Sequence, residues 1–127
     1  MITVVAAIIK KNDTYFLARR APHKEHAGKW EFPGGKINQG EAPEKALERE
    51  LFEEFGVVTK TGKHVATRQY DYGTFQIELM AYEVTYKGGA FQLSDHDQIA
   101  WVPLEEIKQY DLSEADVSIW KALLALL

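Results

Sequence analysis

The stretch GKINQGEAPEKALERELFEEFGV, residues 35–57, changes from a glycine-rich loop to a helical pattern and carries six glutamates in 23 residues. A proline is tolerated in the first turn of a helix, so the helix is predicted to begin near Pro43. Gly56 suits the left-handed position that commonly ends a helix. Between these residues the apolar side chains recur every four positions, at Leu47, Leu51 and Phe55. The stretch therefore predicts an amphipathic helix with one buried side.

Three glutamates of this helix lie on one side of it, because helical residues advance about 100° each: Glu50, Glu53 and Glu54. Their like charges repel at this spacing, so either the face is solvated or a cation lies among the carboxylates. Taken alone, a solvated face is the ordinary explanation. Converging carboxylates also suit a hard dication such as Mg²⁺. The turn Pro33–Gly35 would bring backbone carbonyls to the same place, and Arg49 could orient a neighbouring carboxylate.

The rest of the chain predicts mostly strands and one further helix. Residues 21–29 have no regular period and predict a loop, and residues 103–107 predict a single helical turn. Ser113 is a suitable N-cap for a final helix that runs to Leu127, with an apolar side formed by Ala115, Ile119 and Leu123. Strands are predicted at residues 2–10, 14–20, 30–32 (ending at the Pro-Gly-Gly turn), 57–70, 74–86 and 98–102. This order indicates an α+β fold or a three-layer sandwich.

Composition is typical of a soluble globular protein and excludes several function classes. The length predicts a single domain over residues 1–127. There is no cysteine, which excludes disulfides, thiolate zinc sites and cysteine nucleophiles and fits a reducing, cytoplasmic location. The four histidines show no zinc-site spacing. A net charge of −4 without a basic tract argues against long nucleic acid as a partner, and the apolar run ITVVAAII is too short to span a membrane.

Written out, residues 35–57 follow the pattern G-x5-E-x7-R-E-U-x-E-E-x-G-U, where U is apolar, at every specified position. The pattern resembles the Nudix box, and a match at every specified position is too specific to arise by chance. Other segments look like the MutT branch of that family, namely RR at Arg19–Arg20, WEFPGGK at Trp30–Lys36, DHDQIAWV at Asp95–Val102 and DLSEAD at Asp111–Asp116. The resemblance therefore spans most of the chain.

The resemblance implies a fold and a metal-dependent activity. Nudix proteins fold as an α/β/α sandwich around a mixed β-sheet, with two main helices expected here. They cleave a diphosphate linked to another group, mostly a nucleoside, and they use Mg²⁺, with Mn²⁺ as an alternative. Carried onto the matching positions, the expected metal ligands are the Gly34 carbonyl, Glu50, Glu53 and Glu54.

The resemblance also implies catalytic and substrate-binding roles. Glu50 would serve as a metal ligand or as the base that activates water, Arg49 would hold a glutamate in place, and Glu41 would support the loop or the metal site. The acidic residue that the family carries outside the box matches Asp95 as a catalytic group, with Asp97 as the substitute. The expected substrate-binding residues are Arg20, Phe32, Lys36 and Asp116.

The resemblance does not decide which nucleotide is the substrate. MutT-like proteins convert nucleoside triphosphates to monophosphate and pyrophosphate, and some prefer oxidised guanine nucleotides such as 8-oxo-dGTP while others prefer cytosine nucleotides. Arg20 would contact phosphate, Phe32 would lie beneath the base and Asp116 would read it, but a carboxylate accepts hydrogen bonds from either base. The alternatives to 8-oxo-dGTP are therefore CTP or 5-methyl-dCTP as substrate, or a nucleotide sensor without catalysis. Tyr70 and Tyr72 are expected to be structural, and a monomer and a homodimer are both compatible with the sequence.

Overall fold

The computed structural model describes residues 1–126. Seven strands, two α-helices and one 3₁₀ helix are formed over these residues. In chain order they are β1 (Ile2–Lys11), β2 (Thr14–Arg20), β3 (Trp30–Glu31), β4 (Gly34–Lys36), α1 (Pro43–Phe55), β5 (Val58–Asp71), β6 (Gln76–Gly88), β7 (His96–Pro103), the 3₁₀ helix Leu104–Gln109 and α2 (Glu114–Ala125).

The strands form one mixed sheet with the path β3-β2-β1-β6-β5, while β4 pairs with β1 and β7 pairs with β2. Strands β1 and β6 are parallel, and the other pairs are antiparallel. The side chains of β1 alternate between two apolar clusters, with Val5, Ala7 and Ile9 in one and Ala6 and Ile8 in the other. Such a strand, buried on both faces, is apolar without interruption.

Each face of the sheet is covered by one α-helix. The α1 stripe of Leu47, Leu51 and Phe55 is fully buried in the first cluster, while α2 packs into the second cluster through Ala115, Ile119 and Leu123. The predicted α/β/α sandwich with a mixed sheet and two main helices is therefore confirmed.

The predicted start and end of α1 and the predicted start of α2 are also confirmed. Helix α1 has a proline in its first turn and ends at Gly56, whose φ of 71° is left-handed. At the start of α2 the backbone N–H of Asp116 donates to Ser113 Oγ, at 3.3 Å. Helix α2 ends at Ala125, and the predicted extension to Leu127 reaches one residue beyond those described.

Several predicted boundaries differ from those of the structure: β6 is Gln76–Gly88 rather than residues 74–86, and β7 is His96–Pro103 rather than residues 98–102. The strand at WEF was expected to stop at the Pro-Gly-Gly turn, and β3 does end at Glu31, but Gly34–Lys36 then forms a further strand, β4, against β1. Only glycine permits this approach, because a Cβ on Gly34 would lie 1.8 Å from the carbonyl oxygen of Val5. The single helical turn expected at residues 103–107 is a longer 3₁₀ helix, Leu104–Gln109. Within the described part of the chain, no helix is long and apolar enough to cross a membrane.

Candidate active site

The acidic side of α1 faces the β3–β4 segment and carries three carboxylates that differ in their exposure to solvent. The Glu54 side chain is 8% exposed, Glu50 is 17% exposed and Glu53 is 57% exposed. Periodicity places the three together, and the buried stripe beside them fixes the rotation of the helix. The three predicted carboxylate ligands therefore lie on one surface, running from the protein interior to solvent.

Arg49 ties this surface to the loop that precedes the helix. Its guanidinium makes five hydrogen bonds, to both oxygens of Glu41 at 2.8 and 3.0 Å, to Glu50 at 3.0 Å, to Glu53 at 3.1 Å and to the carbonyl of Lys36 at 3.1 Å. Arginine carries five N–H donors in a fixed plane, so one side chain sets the positions of three carboxylates. The same bonds lower the pKa of Glu41 and raise that of Arg49.

The residues present fit a hard dication on two observations. Glu54 Oε2 is buried and has no hydrogen-bond partner among the described residues, so the Glu54 carboxylate is incompletely satisfied, and a cation bound by this carboxylate would offset the cost of its burial. Gly35 lies so close to Glu50 that a Cβ there would be 2.4 Å from the carboxyl carbon, so the bare β4 backbone borders the same space. Carboxylate and carbonyl oxygens are the donors that Mg²⁺ and Mn²⁺ prefer.

Burial and mutual repulsion disfavour ionisation of the two deeper carboxyls. Burial, followed by the nearby charges of Glu31 and Glu50, raises the pKa of Glu54 to about 9, although Arg20 partly opposes this. Burial also raises the pKa of Glu50, against hydrogen bonding from Arg49. A cation among these groups would favour their ionised forms, because opposite charge stabilises a buried carboxylate.

The metal-free protein is expected to lose stability as pH rises, because of Glu54. Its pKa in the folded chain, about 9, lies above the ordinary 4.5, so between these values the folded state holds a proton that the unfolded state has released. The stabilising contribution is complete below about pH 4.5 and is gone above about pH 9. Thermal melts across this range, with and without Mg²⁺, measure it. Glu54→Gln should flatten the metal-free curve, and Mg²⁺ should stabilise the parent increasingly toward high pH. A parent curve that matches the variant at every pH would contradict the assignment.

Two residues that the sequence analysis did not assign complete the interior of the site. His96 is fully buried, its Nε2 lies 2.8 Å from Glu31 Oε2, and its Nδ1 lies 4.0 Å from Glu54 Oε2. One possible ligand atom each from Glu31, Glu54 and His96 falls within a 4.8 Å span. The available signals were a glutamate between two aromatic residues in WEF and a histidine at the start of a strand, but neither indicates a partner.

The geometry separates the two aspartates considered for the acidic role outside the box. Asp97 accepts two hydrogen bonds from Arg19, at 2.8 and 3.0 Å. Asp95 lies 3.5 Å from Lys24 and is close enough to Glu54 for its charge to add to the rise in that residue's pKa. Asp95 therefore lies on the side of the carboxylate cluster, whereas Asp97 is engaged elsewhere.

A cavity of about 200 Å³ opens beside the carboxylates. Its lining joins Gly34 and Gly35 of β4 to Asp116 at the start of α2, with Arg20 and Phe32 between them. Tyr72 and Phe75 of the β5–β6 hairpin also line it, although Tyr72 was expected to be only structural. Lys36 is exposed on β4 and does not belong to the cavity lining found in the described chain.

Asp116 is the buried acid of this cavity. Its Oδ1 accepts a hydrogen bond from the backbone N–H of Phe32 at 3.4 Å, and its Oδ2 accepts one from Ser113. Burial, followed by the charge of Glu31, raises the pKa of Asp116 to about 7. Near neutral pH this group therefore divides between a form that only accepts hydrogen bonds and a form that also donates one.

Alanine replacements of the two neighbouring glycines of β4 are expected to differ, because one should mainly reduce activity and the other should mainly reduce stability. In Gly35→Ala the Glu50 carboxylate must move by about 1 Å, a displacement that costs on the order of 100-fold in kcat/KM, while the melting temperature changes little. In Gly34→Ala the new Cβ meets the Val5 backbone instead, and unfolding should become easier by about 1–3 kcal/mol or more. Thermal melts and steady-state kinetics on both variants measure the contrast, and equal losses of stability would contradict it.

Comparison with known proteins agrees with this architecture. The NUDIX domain family matches residues 4–122. A CTP pyrophosphohydrolase of Escherichia coli (strain K12) is 40% identical over 126 residues, covering 99% of this chain and 93% of that protein. An 8-oxo-dGTP diphosphatase of Haemophilus influenzae is 39% identical over 85 residues, covering 66% of this chain and 62% of that protein. The solution structure of the E. coli ORF135 protein has a TM-score of 0.88 at 39% identity, covering 99% of this chain and 90% of that one.

The sandwich fold and the acidic helix define a hydrolase of the class that uses a divalent metal. The family match covers nearly the whole chain, and the two relatives are named as a pyrophosphohydrolase and a diphosphatase. The chain belongs to the Nudix hydrolase family, and the resemblance drawn from residues 35–57 is confirmed.

Proposed function

We propose that this protein is a single-domain, Mg²⁺-dependent nucleoside triphosphate pyrophosphohydrolase. It adds water across the bond between the α- and β-phosphates, releasing a nucleoside monophosphate and pyrophosphate. Its preferred substrates are 8-oxo-dGTP or related oxidised or modified nucleotides. The observation that carries the proposal is one cavity with the buried acid Asp116 at one side and the β4 glycines beside the carboxylates at the other.

Each residue of the site has a role in this reaction. Mg²⁺, when bound, supplies the positive charge that lets a polyphosphate approach an acidic surface, and it makes water easier to deprotonate. The ligands are the Gly34 carbonyl, Glu50, Glu53 and Glu54, with Asp95 as a further acid. Glu50 also takes the proton from the attacking water. Positioning and charge stabilisation, rather than covalent chemistry, dominate phosphoryl transfer.

The protein around these groups orders and orients them. Arg49 holds Glu41, Glu50 and Glu53 through four of its five hydrogen bonds, so the carboxylates are in place before substrate arrives. Arg20 lines the cavity and contacts phosphate, Phe32 supports the base, and Lys36 meets the outer phosphates from the exposed side of β4. Mn²⁺ can replace Mg²⁺ at oxygen ligands of this kind.

A cytosine nucleotide is the second candidate, and two observations favour it. A relative named CTP pyrophosphohydrolase aligns with 99% of this chain. The raised pKa of Asp116, about 7, makes a protonated carboxyl available near neutral pH. A protonated carboxyl accepts from the N4 amino group and donates to N3 of cytosine, whereas an ionised one accepts from N1–H and N2–H of guanine.

The test is a pyrophosphate-release panel at fixed Mg²⁺ with 8-oxo-dGTP, dGTP, CTP, 5-methyl-dCTP, dATP and ADP-ribose. Glu50→Gln serves as the blank. A kcat/KM far above the others for 8-oxo-dGTP supports the main proposal, and a preference for CTP or 5-methyl-dCTP supports the second. Failure to turn over any of them, with metal still bound, would leave the nucleotide sensor as the better explanation.

The remaining assignments follow from the proposed activity. The partner is a small nucleotide rather than long nucleic acid or a membrane, and the enzyme acts in the cytoplasm, where nucleotide pools lie. The catalytic groups all belong to one chain, so both a monomer and a homodimer accommodate the reaction.

A further inference from the structure

We propose that His96 is a positioning residue that holds Glu54 toward the metal and Glu31 toward the nucleotide, an inference that rests on the proposed function. Its imidazole lies between the two carboxylates, with Nε2 2.8 Å from Glu31 Oε2 and Nδ1 4.0 Å from Glu54 Oε2. Glu54 belongs to the acidic side of α1, and Glu31 lines the nucleotide cavity. One ring therefore links the two halves of the site.

The ring of His96 is fixed in its plane. Its side chain is 0% exposed, and it stacks on Phe55 with ring centres 4.9 Å apart and planes 22° apart. Phe55 is itself fully buried at the end of α1. At the backbone, His96 pairs with Arg20 across β2 and β7. Because ring and backbone are both held, each nitrogen has one direction in which to interact.

The two nitrogens have different tasks. A carboxylate oxygen accepts hydrogen bonds, so Nε2 is the donor to Glu31 and keeps that carboxylate at the cavity wall. Nδ1 and Glu54 Oε2 face each other, and both are buried without a partner among the described residues. Buried polar atoms are rarely left so. In the tautomer with the proton on Nε2, Nδ1 is an acceptor, and so is an ionised Glu54 oxygen; one bridging water that donates to both atoms spans the 4.0 Å between them. The Nδ1 side therefore directs the remaining Glu54 oxygen toward the space beside Glu50.

Groups that orient metal ligands from behind change metal affinity or activity by roughly 10–100-fold when they are replaced. For His96 the two effects are separable, because metal binding depends on the Nδ1 side and nucleotide binding on the Nε2 side. Asparagine places its amide near the position of Nδ1, and glutamine places its amide near that of Nε2. Leucine retains apolar bulk but neither polar atom.

The experiment compares His96→Asn, His96→Gln and His96→Leu with the parent protein. Mn²⁺ affinity is measured without nucleotide, by electron paramagnetic resonance or calorimetry, and KM and kcat are measured with the best substrate of the nucleotide panel. We expect His96→Asn to keep Mn²⁺ affinity within about threefold while KM rises. His96→Gln should keep KM but lose roughly 10–100-fold in Mn²⁺ affinity, and His96→Leu should lose both. His64→Gln, which alters the exposed histidine bonded to Thr67 on the sheet, is the control and should change neither.

The outcomes also separate this inference from the proposed activity. Thermal melts identify any variant that is merely less folded, and equal losses in all three variants that follow the melting temperature would overturn the positioning role. Unchanged Mn²⁺ affinity in His96→Leu would overturn it as well. If the parent protein turns over no nucleotide, the proposed function fails, but the Mn²⁺ measurements still decide whether His96 positions Glu54.

Discussion

Glu53→Gln is expected to abolish metal-dependent turnover while leaving the fold intact. Its carboxylate is more than half exposed and is held by a single hydrogen bond from Arg49, at 3.1 Å. Replacement by glutamine therefore leaves no polar group buried without a hydrogen-bond partner. The variant loses a negative charge where the metal is proposed to bind. We expect kcat/KM to fall by about 10³-fold or more, in line with the loss of one electrostatic contact in a transition state. Pyrophosphate release and circular dichroism measure the two effects.

Glu44→Gln is the matched control for this prediction. It removes the same charge from the same helix, but Glu44 lies exposed in the first turn of α1, away from the acidic side. Its kcat/KM should stay within about twofold of the parent, as is usual for surface changes away from a site. Equal activity in Glu53→Gln and Glu44→Gln would show that Glu53 is not a ligand.

The second large effect concerns Asp116 and pH. The pKa of this buried acid is raised to about 7, so it is protonated below that pH and ionised above it. For a cytosine nucleotide kcat/KM should fall as pH rises through about 7, because the protonated form makes both hydrogen bonds. For a guanine nucleotide kcat/KM should rise over the same interval. The measurement is the ratio of the two substrates against pH, since titration at the metal or phosphate end affects both alike.

The variant Asp116→Asn provides a second test of base reading by this residue. An amide accepts one hydrogen bond and donates another at every pH, so cytosine activity should persist without the pH dependence. Guanine activity should fall roughly 10–100-fold, because one donor of the base meets a donor. The other charged or titratable residues that line the cavity are Arg20, His26, Lys29, Glu31 and Tyr72, and all five remain in the variant. A substrate ratio that is independent of pH in the parent would rule out base reading by Asp116.

Local patterns in the sequence predicted much of the fold. The i, i+4, i+8 stripe of α1, its proline start and its Gly56 end depend on residues within one helix, and each was confirmed. The α/β/α layers followed from the order of the elements and from the family resemblance. Strand β4 was missed, because it needs the close contact of Gly34 with Val5, a partner nearly thirty residues earlier in the chain.

The residues of the site also divide into those that local spacing predicted and those that depend on contacts between distant parts of the chain. Glu50, Glu53 and Glu54 come together through helical spacing alone, so the sequence placed them on one side. The contacts of His96 with Glu31 and Glu54 join residues 65 and 42 positions apart, and no local period records them. The sequence already placed Asp95 ahead of Asp97, but the ion pair of Asp97 with Arg19, 78 residues apart, follows no local period.

In the proposed function, the short segment from Glu31 to Gly35 sets the separation between the base pocket beside Asp116 and the phosphates beside Glu50. Its Phe32 backbone donates to Asp116, and its Gly35 backbone lies against Glu50, three residues or at most about 10 Å farther along the chain. Any insertion or deletion in this segment would shift both ends at once. On the proposed function, redesign of the enzyme for a larger or smaller base would therefore proceed from α2 or from the β5–β6 hairpin, whose residues line the cavity but carry none of the carboxylates of α1.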